Sequence, residues 1–446
     1  MSTHIDPARV HETLHRHMLA DGYDIVLDLE KSKGRRLWDS RQGRSYLDLF
    51  SFFATLPIGI GHPGMQEPGF LAKLTRAALV NPTNSDVYTT EFAEFVDAFG
   101  RLAMPKSMKY AFWVAGGALG VENALKAAMD WKVRRNFAKG IKEEKGHQVL
   151  HFREAFHGRS GYTVSMTNTA DPRKYQYFAK FDWPRVSNPG LRFPVDAAEL
   201  ARVQKAEQAS LDEIKAAFRE RKDDIAAICI EPIQAEGGDN HFRSEFLAAL
   251  KALAHENDAL LVFDEVQTGI GITGRMWAHE GLGVDPDLIA FGKKMQVCGC
   301  LAGGRIDEEP DNVFHMKSRI NSTWGGNLVD MVRCQRYLEI ITEERLVENA
   351  ATVGAHLLRG LHALQAKRPE LLSNARGRGL MCAIDFPDGD TRNAVAAKAY
   401  EQGMIILSCG TRSLRFRPPL DITAAEVDEA LQIVEKATEA VTAKSA

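Results

Sequence analysis

The stretch FGKKMQ places two lysines, Lys293 and Lys294, directly after the apolar run LIAFG. A lysine at the end of a buried strand is partly desolvated, which favours the neutral amine that attacks carbonyl carbons. Most lysines are solvated surface charges, so the pair needs corroboration from elsewhere in the chain. Asp264 ends a second apolar run, ALLVFDEV (259–266). In an open α/β sheet, a carboxylate at the carboxyl end of a strand faces the ligand crevice. Taken alone, Asp264 is equally a loop or helix-capping aspartate. The turn Ala115-Gly116-Gly117-Ala118 immediately precedes VENALKAAMDWK (121–132). Residues with little side chain at a helix N-terminus leave backbone amides open to an anion. A plain tight turn has the same composition.

Two other motifs carry chemistry in name only. His11-Glu12-Thr13-Leu14-His15 spells H-E-x-x-H, which on a helix sets two imidazoles one turn apart with a carboxylate beside them. A zinc hydrolase also needs a third ligand, and Met18 stands where the longer motif has glycine. Gly269-Ile270-Gly271-Ile272-Thr273-Gly274 spells G-x-G-x-x-G, the pattern of a dinucleotide site. Here Asp264, Glu265 and Gln267 come between strand and glycines, putting carboxylates where a pyrophosphate would lie. Neither a metal site nor a nicotinamide site is expected.

The elements that must position these groups are legible as patterns. IAAICIEP (225–232) and ALLVFDEV are near-continuous apolar runs ending in acidic residues, the form of strands buried on both faces. In VENALKAAMDWK, Val121, Leu125, Ala128 and Met129 recur at helical spacing. Strands alternating with helices predict an α/β fold with a mostly parallel sheet. Past Gly326 a long helical stretch runs to about residue 364, and then MIILS (404–408) and SLRFRP (413–418) read as short strands. Thr423 and Glu426 have the spacing of a capping box for a last helix. The expected organisation is an N-terminal segment, 1–74, joined to a small α+β domain formed by 326–446, with a large domain over 75–325.

Bulk properties narrow the class. The 446 residues are 45% hydrophobic and 26% charged, with net charge −3, which gives no general attraction to nucleic acid or anionic membrane. No apolar run is long enough to span a bilayer. MSTHIDPARV lacks a basic stretch leading into an apolar core, so no signal peptide is expected. Six scattered cysteines suggest no disulfide framework, and a reducing cytoplasm is the expected compartment.

A lysine at a strand end, an acid at the end of another strand and an anion cradle are together what pyridoxal phosphate requires: a covalent anchor, a partner for the ring nitrogen and a phosphate site. DEVQTGIGITGRMWAHE followed by PDLIAFGKK resembles the class-III aminotransferases of fold type I. GGALGVENALKAAMDWK, FHGRSGYTVSMTNT, FDWPR, EPIQAEGGD, NSTWGGN, RGRGLMCA and RFRPPL extend the resemblance over nearly the whole chain. It implies a large domain around a seven-stranded sheet and a homodimer with shared active sites. Within the family the chain most resembles members acting on the ε-amine of L-lysine, with 2-oxoglutarate as acceptor. Other ω-amine donors, 4-aminobutyrate, ornithine or a diamine, are the alternative.

The resemblance also implies roles. Lys293, read from Asp287 in the D-x-x-x-x-G-K frame, is the covalent anchor and proton carrier, with Lys294 expected to point the opposite way along an extended chain. Asp264 pairs with the ring nitrogen. Val266 and Phe156 cover the ring faces, and Gln267 lies near the phenolic oxygen. Gly117 and Ala118 cradle the phosphate, joined by Thr323, with Asn321 beside it, from the neighbouring subunit. Arg159 takes the distal carboxylate of either substrate, and Arg415 the α-carboxylate of the keto acid. Glu236 covers Arg415 while lysine is bound. Four places depart from the family pattern: Ala115, Gly120 (which slightly weakens the helix start), Met295, and the segment SFFATLPIGIGHP (51–63).

Overall fold

The computed structural model describes residues 5–443, so the first residues of the N-terminal stretch lie outside it. The strands Met108–Val114, Cys298–Gly303, Leu288–Phe291, Leu260–Asp264, Ile225–Ile230, Gln148–Phe152 and Arg185–Val186 lie side by side in that order as one seven-stranded sheet. Every neighbouring pair is parallel except those made by Cys298–Gly303, which is antiparallel to both its neighbours. The two strands anticipated from apolar runs, 225–230 and 260–264, are buried at every residue and adjacent in the sheet. Continuous apolar sequence suits them because helices cover both faces.

The helix Gly117–Ala138 crosses this sheet and begins earlier than its apolar pattern. Gly120 has a positive reason to be glycine. A Cβ there would lie 2.7 Å from the Gly299 carbonyl oxygen, so the helix reaches the sheet backbone only because that atom is missing. Met295, the other small departure, is fully buried with its sulfur 3.8 Å from Cys334 Sγ.

A second, six-stranded sheet runs in the order Arg36–Asp39, Arg44–Leu49, Met404–Cys409, Ser413–Phe416, Met381–Asp385, Ser373–Arg378. The N-terminal strands thus join the C-terminal ones, Leu47 pairing parallel with Met404. The helix Pro68–Val80 runs through residue 74 and packs on the helix Leu328–Glu343. The long helical stretch is two helices, Leu328–Glu343 and Leu346–Lys367, broken where Arg345 turns left-handed at φ 54°. Thr423 and Glu426 form the reciprocal capping box that opens Ala424–Thr442.

The two decoy motifs have structural roles. The H-E-x-x-H residues lie on and around the short helix Val10–His15, where Glu12 accepts from Arg16 at 2.6 Å and His15 bonds the His11 carbonyl. The glycines of 269–274 form a loop pressed on residues 351 and 379: a Cβ on Gly274 would meet Ala351 at 2.9 Å, and one on Gly379 would meet the Thr273 carbonyl carbon at 2.4 Å. No helix among the described residues is long and apolar enough to cross a membrane.

Candidate active site

A cavity of about 640 Å³ opens at the carboxyl ends of the parallel strands, where an open α/β sheet presents its crevice. Lys293, Asp264, Val266, Gln267, Phe156, Gly117, Ala118, Arg159 and Glu236 all line it.

Asp264 is the last residue of its strand and 4% exposed. Its Oδ1 accepts the Val266 N–H at 3.0 Å, and its Oδ2 lies 2.7 Å from His157 Nδ1. Burial opposes charge on that imidazole, but the hydrogen bond and charge of Asp264, with the charge of Glu231, raise its pKa above the ordinary value. Sequence reasoning passed over His157, although it directly follows Phe156. It also passed over Glu231, whose two oxygens accept the N–H groups of Phe156 (2.9 Å) and Ala235 (3.1 Å). Glu231 therefore sets where Phe156 enters the cavity. Burial pushes its pKa up to about 7, with His157 pulling down and Asp264 pushing up.

Lys293 follows Gly292 into a 3-10 turn, Lys293–Met295, rather than continuing the strand. The extended-chain argument for the two lysines is thus replaced by a turn, but the side chains still diverge. Lys293 lies on the cavity with φ 49°, a left-handed conformation that costs an L-residue roughly 1–2 kcal/mol. Burial, then the charge of Arg415, lower its amine below the ordinary lysine range, against the pull of Asp264, Glu236 and Glu231. Lys294 is 2% exposed and donates Nζ to the Ala54 carbonyl at 3.1 Å. Burial, with Arg417 and Lys293 nearby, drives its pKa well below the usual value.

Ala54 belongs to the divergent segment. Ser51, Phe52, Phe53 and Ala54 are all left-handed, with φ 40°, 51°, 60° and 65°. Four such L-residues in succession are held by Asp48, which accepts the Phe50 and Ser51 N–H groups, and by Ser51 Oγ donating to the Arg417 carbonyl at 2.6 Å. Gln296 Nε2 donates to the Thr55 carbonyl at 3.0 Å, and Thr55 itself lines the cavity.

The turn expected to cradle an anion leads into the start of Gly117–Ala138, where Gly116 has φ 103° and no side chain caps the helix. A Cβ on Gly117 would meet Val266 Cγ1 at 3.0 Å. Gln267 Oε1 accepts from Arg417 Nε at 2.9 Å, which leaves the amide nitrogen as the group it can offer the cavity. Arg417 in turn pairs with Asp239, both side chains fully buried.

Glu236 Oε2 accepts from Arg415 Nη2 at 2.6 Å. The other Arg415 nitrogens, Nε and Nη1, are buried without a hydrogen-bond partner. Burial opposes the Glu236 charge, yet Arg415 and Lys174 hold its carboxyl below the usual range. Arg159 is exposed at the cavity wall. Asn321 and Thr323 are exposed and do not line this cavity. Asn321 Oδ1 instead accepts the Ser322 N–H at 2.7 Å.

These residues fit pyridoxal phosphate. A helix start free of side chains suits the phosphate, and Asp264 suits the ring nitrogen. Val266 and Phe156 offer apolar faces, and a desolvated amine waits within the same cavity. The comparisons agree. Over 436 residues the chain is 51% identical to an L-lysine-epsilon aminotransferase from Streptomyces clavuligerus, covering 97% of this chain and 94% of that one. It is 32% identical to the human mitochondrial 4-aminobutyrate aminotransferase, with 90% and 82% covered. The solved structure of lysine aminotransferase from M. tuberculosis matches with a TM-score of 0.96 at 50% identity, over 98% of this chain and 100% of that one. The pattern of the family described as Aminotransferase class-III matches residues 18–438, and the chain belongs to that family of pyridoxal-phosphate enzymes.

Proposed function

We propose that the protein transfers the ε-amino group of L-lysine to 2-oxoglutarate, giving 2-aminoadipate 6-semialdehyde and L-glutamate. The observation that carries this reading is the Glu236–Arg415 pair. Glu236 meets only Nη2 of this buried guanidinium, and Nε and Nη1 remain for a substrate carboxylate that takes its place. The near-50% likeness to lysine ε-aminotransferases supports the choice of donor.

In this reading Asp264 would pair with the cofactor's ring nitrogen, and His157 and the Val266 N–H hold the carboxylate in place. Gly117 and Ala118 offer amides to the phosphate. When bound, the cofactor supplies an electron sink for the carbon that loses its proton. Lys293 would hold the cofactor, and its neutral amine, when free, would take the proton from Cε of the donor as general base and, as acid, deliver it to the cofactor rather than back to Cε. The lowered pKa of Lys293 makes that neutral form available nearer neutral pH.

Arg159 takes the α-carboxylate of lysine or the γ-carboxylate of 2-oxoglutarate, since a guanidinium can bind either bidentately. With lysine bound, Glu236 stays on Arg415, so the methylene chain meets no bare cation. With 2-oxoglutarate, Glu236 moves aside and Arg415 takes the α-carboxylate.

The assembly we assign is a homodimer in which Thr323, with Asn321 beside it, completes the partner's phosphate site. Their exposure outside their own cavity supports this, as does the exposed apolar surface of Leu79, Val80, Val87 and Tyr88. The N-terminal segment is assigned with the small domain, on the strand pairing between 44–49 and 404–409. Six buried, unpaired cysteines suit the cytoplasm. The test is glutamate formation from 2-oxoglutarate with lysine, ornithine, 4-aminobutyrate and diamines in parallel. Lysine should give the highest kcat/KM, and a clear preference for another donor would sink the assignment.

A further inference from the structure

Glu236 has a second cation. Its Oε2 is bonded to Arg415, while its Oε1 accepts a short hydrogen bond from Lys174 Nζ. The two cations differ in burial. Arg415 sits on the strand Ser413–Phe416 with its side chain 3% exposed. Lys174 ends the surface turn Pro172–Lys174, its side chain is 19% exposed, and its Nζ lies 5.8 Å from the Phe156 ring centroid. The carboxylate therefore bridges a buried inner cation and a partly exposed outer one through different oxygens.

We propose that Lys174 is a positioning residue for the acceptor half of the reaction: it keeps hold of Glu236 when Arg415 is given up to the keto acid. The inference rests on the roles assigned above to Glu236 and Arg415. A carboxylate leaving Arg415 with nothing else to bind would be a partly buried, unpaired charge. The four-carbon lysine stem can follow the carboxylate as it rotates outward, so one charge-assisted hydrogen bond survives the movement. Without Lys174, Arg415 becomes the sole partner of Glu236, and displacement by 2-oxoglutarate becomes harder. Lysine binding does not require that displacement.

The test is Lys174→Gln in the full-length holoenzyme, with each half-reaction followed separately by cofactor absorbance. KM for 2-oxoglutarate should rise on the order of tenfold while KM for lysine changes by less than about twofold. Lys174→Arg should restore most of the loss, and Lys174→Gln should add nothing in a Glu236→Gln background. An equal rise in both KM values, no rise in either, or a loss that arginine does not rescue would overturn the proposal. Glu236→Gln alone separates the two layers. If it alters the halves unequally and Lys174→Gln does not, only the role of Lys174 fails. If it alters neither half, the reading of the Glu236–Arg415 pair fails as well.

Discussion

Gly120→Ala sets helix propensity against packing at a single position. Inside a helix, alanine is favoured over glycine by about 1 kcal/mol. The new Cβ, however, would lie 2.7 Å from the Gly299 oxygen, 3.1 Å from the Gly299 nitrogen and 3.2 Å from the Phe291 oxygen. Ordinary contact begins near 3.4 Å, so about 0.7 Å has to be found. Overpacking of this kind costs on the order of 1–3 kcal/mol, enough to outweigh the propensity gain. The obstructing atoms are the backbone of two paired strands inside the seven-stranded sheet, so the helix end gives way rather than the sheet. Gly117 and Ala118 lie in that same first turn and shift with it. Hydrogen bonds to a charged phosphate contribute roughly 1.5–3 kcal/mol each, and misaligning them should weaken cofactor binding by about 2 kcal/mol, roughly 30-fold. The assay is titration of cofactor-stripped protein with pyridoxal phosphate, followed by absorbance, beside thermal denaturation. Gly100→Ala is the control. It lies in the helix Thr90–Leu102, where an added Cβ meets nothing within 4 Å. It should gain up to about 1 kcal/mol and leave affinity alone. If Gly120→Ala behaves like Gly100→Ala, the close-approach argument is wrong.

Three further outcomes are expected. Lys293→Ala should lose the covalent cofactor absorbance and activity, while Lys294→Met should keep the absorbance; the reverse pattern would exchange the two assignments. A Thr323→Ala subunit mixed with a Lys293→Ala subunit should regain part of the activity, because one hybrid site is intact; no recovery despite verified exchange counts against shared sites. Burial, then the charge of Arg185, lower His151 to about 3. The unfolded chain takes up that proton first, so stability should fall as pH drops from about 6.5 toward 3, by about 1.4 kcal/mol per unit for this group. His151→Gln should flatten that limb in denaturant unfolding at pH 7, 6, 5 and 4, and parallel curves for variant and parent would refute it.

The strands and the acid at the end of one were legible because burial on both faces writes itself as unbroken apolar sequence, as in 225–230 and 260–264. The family motifs then carried Lys293, Asp264, Gln267 and Glu236 into one cavity. What stayed hidden was relational. Glycine at 120 looked like a weak helix residue because the sequence does not say that a strand backbone lies behind it. The turn at Lys293 was mistaken for extended chain, since nothing local marks a left-handed lysine. Arg345 divides a continuous helical pattern for the same reason. His157, Glu231 and Lys174 are hydrogen-bonded to residues 62 to 107 positions away, and no spacing rule reaches that far.

The strand Arg44–Leu49 is made early and finished late. Its partner Met404–Cys409 leaves the ribosome only after the large sheet has been synthesised. At ordinary elongation rates of roughly 5–20 residues per second, that is a delay of about 20–70 s. During it the strand has Arg36–Asp39 beside it and an open second edge carrying buried-type residues such as Leu47 and Leu49. Every strand of the seven-stranded sheet is therefore synthesised while the N-terminal hairpin waits, whereas the crevice is completed only when Arg415 and Arg417 arrive. Chains released short of residue 404 would expose that edge and aggregate, while full-length chains would bury it.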